Sequence, residues 1–498
     1  MFEAVYIPGG PHRHPRKFRS VFKMKTMSER FDVAIIGAGT AGLAALREVQ
    51  RTTQNWVLIN DGPFGTTCAR VGCMPSKALI AVTKTFHQRN FLAAAGIAGT
   101  ESLKADLPAV LQHVRKLRDA YVGGVLKITD ELGERVIAGR ARFVQPDTLE
   151  VSDRRLHARH IIIATGSRPI VPQPWQALGE RVLTSDTLFE QETLPGRIAV
   201  VGLGALGVEI AQALARLGIV VTGFDAAEHV AGLSDPTVSA CAIDILSGEF
   251  PLHLGQSAEL SGESDGAIQI SAGSTHVVVD AVVASLGRRL NLDGLGLKEI
   301  GVALDEHGLP PFDPGTLRIA GVEISIAGDV NGMRPLLHEA ADEGYIAGYN
   351  ALRDTPVCFA RRVPLGIVFC DPNIAMVGQR FKDLDQDQTV VSEVDLKGQG
   401  RLRMEGADRG LIRLYTDAQR GNLLGVELCC PHGEHLAHLL ALAIQQGLTV
   451  RELLRMPFYH PVVEEGLRSA LRDAAGKLSD DLTPDLARCG RLGAEALE

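Results

Sequence analysis

The chain has no apolar run long enough to cross a bilayer, because its apolar stretches are short and broken by glycine or charge. No membrane association is expected. It also lacks any excess of positive charge. With 51 basic and 59 acidic side chains the net charge is -8, which argues against a nucleic-acid footprint and favours a soluble chain. Cysteine is sparse: there are eight, scattered except for Cys68 with Cys73 and Cys429 with Cys430. Secreted disulfide frameworks belong to much smaller chains, so a reducing cytoplasm is the expected compartment.

One further absence is local. The first 26 residues carry Arg13, Arg16, Lys17, Arg19, Lys23 and Lys25 but a single acid, Glu3. Basic, acid-poor segments occur as organellar transit peptides, which would imply a matrix location. This one has little serine and no clean amphipathic period. A disordered extension, with Met27-Ser28-Glu29 marking a second possible start, is the reading the sequence favours.

What is present is an α/β texture from Phe31 onward, in a chain whose 498 residues suggest about three domains. Short β-branched runs alternate with Ala/Leu-rich helical stretches, and no repeat of solenoid length appears. Residues 31–37 and 197–202 are alike: each is a strand entering a glycine-rich turn and then a helix. Between them, 77–132 reads as helical and 135–164 as strand-rich. Proline-rich 169–174 reads as a crossover, 277–291 closes the second unit, and 324–329 is a further buried strand. Beyond Pro356 strands and helices continue without phosphate loops, and the tail after Gly476 is polar.

The first turn is Gly37-Ala38-Gly39-Thr40-Ala41-Gly42. Its glycines permit a tight turn, close backbone approach to a pyrophosphate, and helix-on-strand packing, while the helix N-terminus faces the phosphates. The following strand ends at Asn60-Asp61, where an acid usually accepts from ribose hydroxyls. Asn60 stands in the expected place and Asp61 is the alternative. The second turn is Gly202-Leu203-Gly204-Ala205-Leu206-Gly207, and its next strand ends at Asp225. A carboxylate there holds a ribose diol and repels a 2′-phosphate, so NAD is expected over NADP. A single such turn could be an ordinary glycine-rich loop; two in register, each with strand and helix, point to two dinucleotide sites.

Between the two lies Gly65-Thr66-Thr67-Cys68-Ala69-Arg70-Val71-Gly72-Cys73-Met74-Pro75-Ser76-Lys77. Two cysteines separated by a helical turn and a glycine can form a strained, reducible disulfide. Two inert buried thiols are the plainer alternative. Zinc would need further ligands at matching spacing, and no second Cys or His pair lies nearby, so no metal is expected.

Taken together, these motifs resemble the class I pyridine nucleotide–disulfide oxidoreductases, and within them the dihydrolipoamide dehydrogenases, over residues 31–475. The segment from Thr67 to Lys77 is the most specific part; Pro75-Ser76-Lys77 matches dihydrolipoamide dehydrogenases and mercuric reductases, and Thr66 replaces a usual glycine. The resemblance implies two Rossmann-like domains and a C-terminal α+β dimerisation domain. It places a FAD-binding domain at 27–165 and 281–352, an NAD-binding domain at 166–280, an interface domain at 353–475 and a tail at 476–498. Thr67, Thr165, Gly166, Gly287, Gly328, Asp329, Leu337 and His338 fall on motifs that hold the cofactors. Lys77 and Glu209 correspond to the family's ion pair beside the flavin. Tyr459-His460-Pro461-Val462-Val463-Glu464-Glu465 matches the family's His-Pro-x-x-x-Glu.

The implied chemistry is oxidation of dihydrolipoamide, free or on a lipoyl domain of a 2-oxo-acid dehydrogenase complex. Cys68, expected as the more accessible sulfur, takes the substrate thiolate. Cys73 faces the flavin, and His460, oriented by Glu465, moves the proton across an obligate homodimer. A mercuric-reductase-like enzyme is the nearest rival, although the tail holds only Cys489. A non-catalytic redox-sensing or assembly flavoprotein is a rival of another kind. Cys429 and Cys430 are expected to be packed. Phe369-Cys370-Asp371-Pro372-Asn373 departs from the family's usual Thr-x-Pro-Glu.

Overall fold

The computed structural model describes residues 28–263 and 266–478. The basic extension 1–26 and most of the tail, with Cys489, lie outside the described residues.

Ser28–Ile36 is the centre of the first unit. Its successive side chains point to opposite faces, as the strand pleat requires. Val33 and Ile35 pack with the helix Thr40–Val49, while Ala34 and Ile36 enter a second core with Ile137, Phe143 and Leu156. Burial on both faces is why its second half, Val33 to Ile36, reads as continuously apolar. It pairs in parallel with Trp56–Asn60 on one side and Arg154–Ile163 on the other, and Ile324–Ile326 joins beyond that. The chain therefore leaves this sheet for about 160 residues, from Ile163 to Ile324, and returns to it.

That excursion builds the second unit, a five-stranded parallel sheet around Arg197–Val201. Ile198 and Val200 face helices; Ala199 and Val201 face a three-stranded antiparallel sheet of Glu259–Gly262, Ile268–Ala272 and Thr275–Val279. Ala281–Ala284 pairs with Arg197–Val201 and belongs to this sheet. This sheet thus keeps the chain past residue 281, where the sequence division sets the change, because Ala281–Ala284 lies inside it, between Arg197–Val201 and Val182–Leu183. The crossovers Ser167–Pro169 and Arg288–Leu290 pair antiparallel as a two-stranded link.

The third unit is an antiparallel sheet of five strands in the order Leu365–Val368, Asn373–Gly378, Leu423–Cys430, Leu411–Asp417 and Thr389–Asp395. One face packs on the helices Gly433–Gln445 and Glu464–Leu478. The other meets the second unit. There Glu427, fully buried, accepts from the backbone N–H groups of Ser234 (2.8 Å) and Asp235 (2.9 Å) at the start of the helix Pro236–Ser247. Asp235 also accepts from the Tyr415 hydroxyl at 2.8 Å. The fold is mixed α/β, as expected from the sequence.

Candidate redox site

The two glycine turns have one geometry. A Cβ on Gly37 (φ +112°) would lie 2.2 Å from the Ala164 carbonyl oxygen, and one on Gly202 (φ +94°) 2.2 Å from that of Ser285. A Cβ on Gly42 or Gly207 would lie 1.8 Å from the carbonyl oxygen of Gly37 or Gly202. Only glycine fits these four places. By contrast, Gly39 and Gly204 would meet nothing within 4 Å, and each caps its helix without a side-chain hydrogen bond. The first-turn N–H groups are therefore left for an external anion, which suits the pyrophosphate of a dinucleotide.

Asn60 accepts from Ala38 N–H at 3.0 Å and donates to the Gly62 carbonyl at 3.1 Å. Asp225 holds the second turn in the same way, accepting from Leu203 N–H at 2.5 Å and from Ala227 N–H at 2.9 Å. Asn60, Asp61, Gly37 and Thr165 line a cavity of about 460 Å³. Asp61 is exposed there.

A second cavity, of about 290 Å³, continues from the first turn. It gathers Gly39, Thr67, Cys68, Cys73, Lys77, Gly166, Glu209, Gly328, Asp329 and Leu337. Residues nearly 300 positions apart in sequence thus share one crevice. His338, although next to Leu337, is exposed and not among the lining residues. Gly328 is required by packing: a Cβ there would come within 2.8 Å of Ala41. Gly287, with φ +91°, accepts from Ile170 N–H at 3.1 Å and so helps close the crossover.

The cysteines sit where a single helical turn, Thr67–Arg70, meets the longer helix Cys73–His87. Thr66 caps Thr67–Arg70 by accepting from Ala69 N–H at 3.1 Å, which gives the departure from glycine a local use. Gly72 lets the chain fold back, and Cys73 then opens the helix Cys73–His87. The two sulfurs are thiols in hydrogen-bond contact. Cys68 donates, and Cys73 is lowered to about 7 by that bond and by Lys77, against burial and the charge of Glu209. Cys68 is correspondingly raised, by its bond to Cys73 and by burial. A thiol at a helix N-terminus beside a cation is where a thiolate is favoured. Both cysteines line the crevice, Cys68 half-buried and Cys73 open to the space beside the first glycine turn.

Lys77 follows Cys73 by one helical turn and so lies on the same face. Its Nζ is 3.0 and 2.8 Å from the two oxygens of Glu209, which is 3% exposed on the helix Ala205–Arg216. Glu209 also accepts from Phe369 N–H at 2.8 Å, and Lys77 stands 4.7 Å from the centre of the Phe369 ring. One ion pair therefore joins all three units.

Sequence reasoning missed three supports. Arg288, next to Gly287, donates to the Ser167 hydroxyl (2.7 Å) and carbonyl (2.8 Å), and that hydroxyl donates to Asp329 at 2.9 Å. Glu343, 1% exposed, accepts from Gly328 N–H and from Asn331, each at 2.6 Å. Phe369 carries no sequence signal for its backbone contact. The departure at Asp371 also acquires a role. Its carboxylate meets Arg216 at 3.0 Å, and its backbone exchanges hydrogen bonds with Gln212.

His460 stands apart from the crevice, 79% exposed. Its Nδ1 is 3.0 Å from Glu465, whose other oxygen accepts from Val462 N–H at 3.3 Å. The hydrogen bond from His460 holds Glu465 below the usual carboxylate range. The carboxylate thereby fixes Nδ1 as the donor and leaves Nε2 to exchange a proton.

Two dinucleotide cradles in an α/β frame, with a dithiol between them, define a flavin- and pyridine-nucleotide-dependent oxidoreductase. Residues 31–344 match the family model for pyridine nucleotide-disulphide oxidoreductase, and residues 365–471 match its dimerisation domain. The chain belongs to this family, whose members use FAD and NAD(H). Among similar proteins is a dihydrolipoyl dehydrogenase of Chlamydia pneumoniae, 28% identical over 88% of this chain and 96% of that one. Another, from Trypanosoma brucei brucei, is 29% identical over 88% and 95%. Of solved structures, LpdA from Mycobacterium tuberculosis matches with a TM-score of 0.76 at 26% identity, covering 89% of this chain and 99% of that one. The HOCl-induced flavoprotein disulfide reductase RclA from Escherichia coli matches with a TM-score of 0.77 at 23% identity and the same coverage, a likeness of fold.

Proposed function

We propose that this chain is a dihydrolipoyl dehydrogenase, oxidising dihydrolipoamide through Cys68 and Cys73 and reducing NAD. The observation that carries the reading is the Cys73 thiol, lowered to about 7 at a helix N-terminus with the Lys77–Glu209 pair one turn away. The domain division is that of the sequence, with the second unit extended through Ala284.

In the oxidised pair, a substrate thiolate attacks the Cys68 sulfur, the disulfide breaks, and Cys73 leaves as a thiolate. The mixed disulfide is then displaced by the second substrate thiol, which releases lipoamide and the Cys68 thiol. Lys77 supports the negative charge on Cys73, and Glu209 keeps Lys77 in place. The first glycine turn with Asp329 would hold FAD and the second turn with Asp225 would hold NAD; bound FAD supplies the two-electron relay between dithiol and nicotinamide. His460 of the partner subunit, oriented by the partner's Glu465, takes the substrate proton in the homodimer that the dimerisation domain supports. The compartment proposed is the cytoplasm; among the described residues no helix is long and apolar enough to cross a membrane.

The test follows NADH formation from NAD with dihydrolipoamide, with NADP and a Cys73→Ser variant alongside. Rapid, NAD-selective, Cys73-dependent turnover is expected. Flavin reduction by NADH without exchange with dihydrolipoamide would move the substrate to another disulfide.

A further inference from the structure

Three cysteines outside the redox site converge where the second unit meets the interface sheet. Adjacent residues of a strand face opposite ways, so Cys429 and Cys430 part company. Cys430 enters the core between the sheet and its own helices, while Cys429 enters the core shared with the second unit. Cys370 lies in that same core, its thiol donating to the Pro372 carbonyl at 3.1 Å. Across from them, the helix Pro236–Ser247 presents Cys241, half-buried, whose thiol is in hydrogen-bond contact with that of Cys429.

The mountings of the two contacting thiols are rigid. Glu427, two residues before Cys429, binds the start of the Cys241 helix, and Arg413 and Tyr415 on the neighbouring strand bind Asp235, that helix's cap. The sulfurs therefore face one another across a fixed junction. Their environments differ: Cys429 is 2% exposed, whereas Cys241 reaches solvent. The proposed dihydrolipoamide reaction uses neither.

We propose that Cys241 and Cys429 form a second oxidisable dithiol, which hydrogen peroxide converts to a disulfide stapling the second unit to the interface sheet. The Cys241 sulfur attacks a peroxide oxygen, the O–O bond breaks, and a sulfenic acid and one water result. The Cys429 sulfur then displaces the sulfenic hydroxyl, which leaves as a second water with the thiol proton, and the S–S bond forms. Two electrons pass from the pair of sulfurs to one peroxide. Donation from Cys429 lowers Cys241, so the thiolate is favoured on the sulfur that solvent reaches. Cys370 is buried and engaged with a carbonyl, which leaves Cys429 as the resolving partner.

The test uses the full-length protein, reduced, treated with hydrogen peroxide, alkylated and digested. The expected product is a peptide pair joined through Cys241 and Cys429, together with a rise in thermal midpoint that reduction reverses. Cys241→Ser should lose both the linked peptide and the thermal shift while keeping flavin and turnover. A Cys370–Cys429 link, or Cys241 carried to sulfinic acid with Cys429 still reduced, would overturn the assignment. So would an unmodified Cys241 at peroxide levels that oxidise exposed Cys358.

Discussion

The two dinucleotide units are the same device set to different tasks. In both, a Cβ on the first or third glycine of the turn would strike a carbonyl at 2.2 or 1.8 Å, and the middle glycine faces open space. In both, the residue ending the second strand reaches back to the N–H next after the first glycine, Asn60 to Ala38 and Asp225 to Leu203. The difference is charge. Asn60 uses its amide N–H to bond the Gly62 carbonyl, whereas Asp225 uses its second oxygen to accept from Ala227. Holding the turn needs only one acceptor oxygen, so the acid is free to vary where it is not also needed for a ribose or against a phosphate. The segments beyond the second strand differ too. The first unit carries the Cys68–Cys73 helices there, and the second carries the helix docked on Glu427.

The most damaging way to separate the units is to fill the third glycine. Gly42→Ala should give a protein without flavin, whereas Gly207→Ala should stay yellow but lose reduction by NADH. Each forces a carbonyl aside at a cost of about 1–3 kcal/mol or more. Flavin absorbance and NADH titration distinguish the two, and flavin loss in both would refute their independence.

Exchanging the strand-end residues comes next. Asp225→Asn can accept only one of its two N–H bonds with its single oxygen, so NAD binding should weaken by roughly tenfold, about 1.4 kcal/mol. Discrimination against NADP should fall with it. Asn60→Asp keeps the bond to Ala38 but turns an oxygen towards the Gly62 carbonyl, costing about 1 kcal/mol with flavin retained. Equal losses from the two exchanges, read by KM and thermal midpoint, would contradict a difference of charge between the units.

Lys77→Met probes what the first unit carries beyond the shared frame. The wild-type Cys73 thiolate forms as pH rises through about 7, well below an ordinary thiol, so its alkylation should accelerate across that range. Removing Lys77 takes away a charge that favours the thiolate, and the midpoint should move upward; Lys77→Arg should leave it nearer the wild-type value. Because the depressed group favours the folded dithiol only when ionised, its stabilising contribution is present above the unfolded thiol range and lost as pH falls through about 7. The smallest effect is expected from Thr66→Ala, which removes one helix cap worth about 1 kcal/mol. A thermal shift with unchanged turnover would confirm a role confined to the cap.

Much of the molecule is legible in order along the chain. Glycine spacing is read directly because the steric demand is local: each clash is with a backbone atom of the same turn or of the strand beside it. The Cys68–Cys73 spacing likewise reports a turn, a glycine and a helix start. Phe369 is not legible, since its contribution is a backbone N–H that any residue but proline would supply. Nor is Glu343, whose position one helix away from Gly328 matters only after the helix Leu337–Asn350 packs on Thr40–Val49 through Gly344 and Gly348. The return to the first unit falls later than residue 281 because strand pairing is a non-local choice.

The sequence by itself marked the two cradles, the dithiol and the His460–Glu465 pair, because each carries a short motif whose spacing reports a turn or a helix start, although Gly37 and Gly202 pack against the distant Ala164 and Ser285. The tertiary structure brings Lys77 and Glu209, paired in the sequence by resemblance alone, into contact, and it alone decided that Asp371 meets Arg216 and that Cys429 turns from Cys430 towards Cys241. These contacts join residues 132, 155 and 188 positions apart. They depend on how whole sheets and helices stack, and that packing is set by the sum of many buried surfaces, which no short stretch of sequence contains.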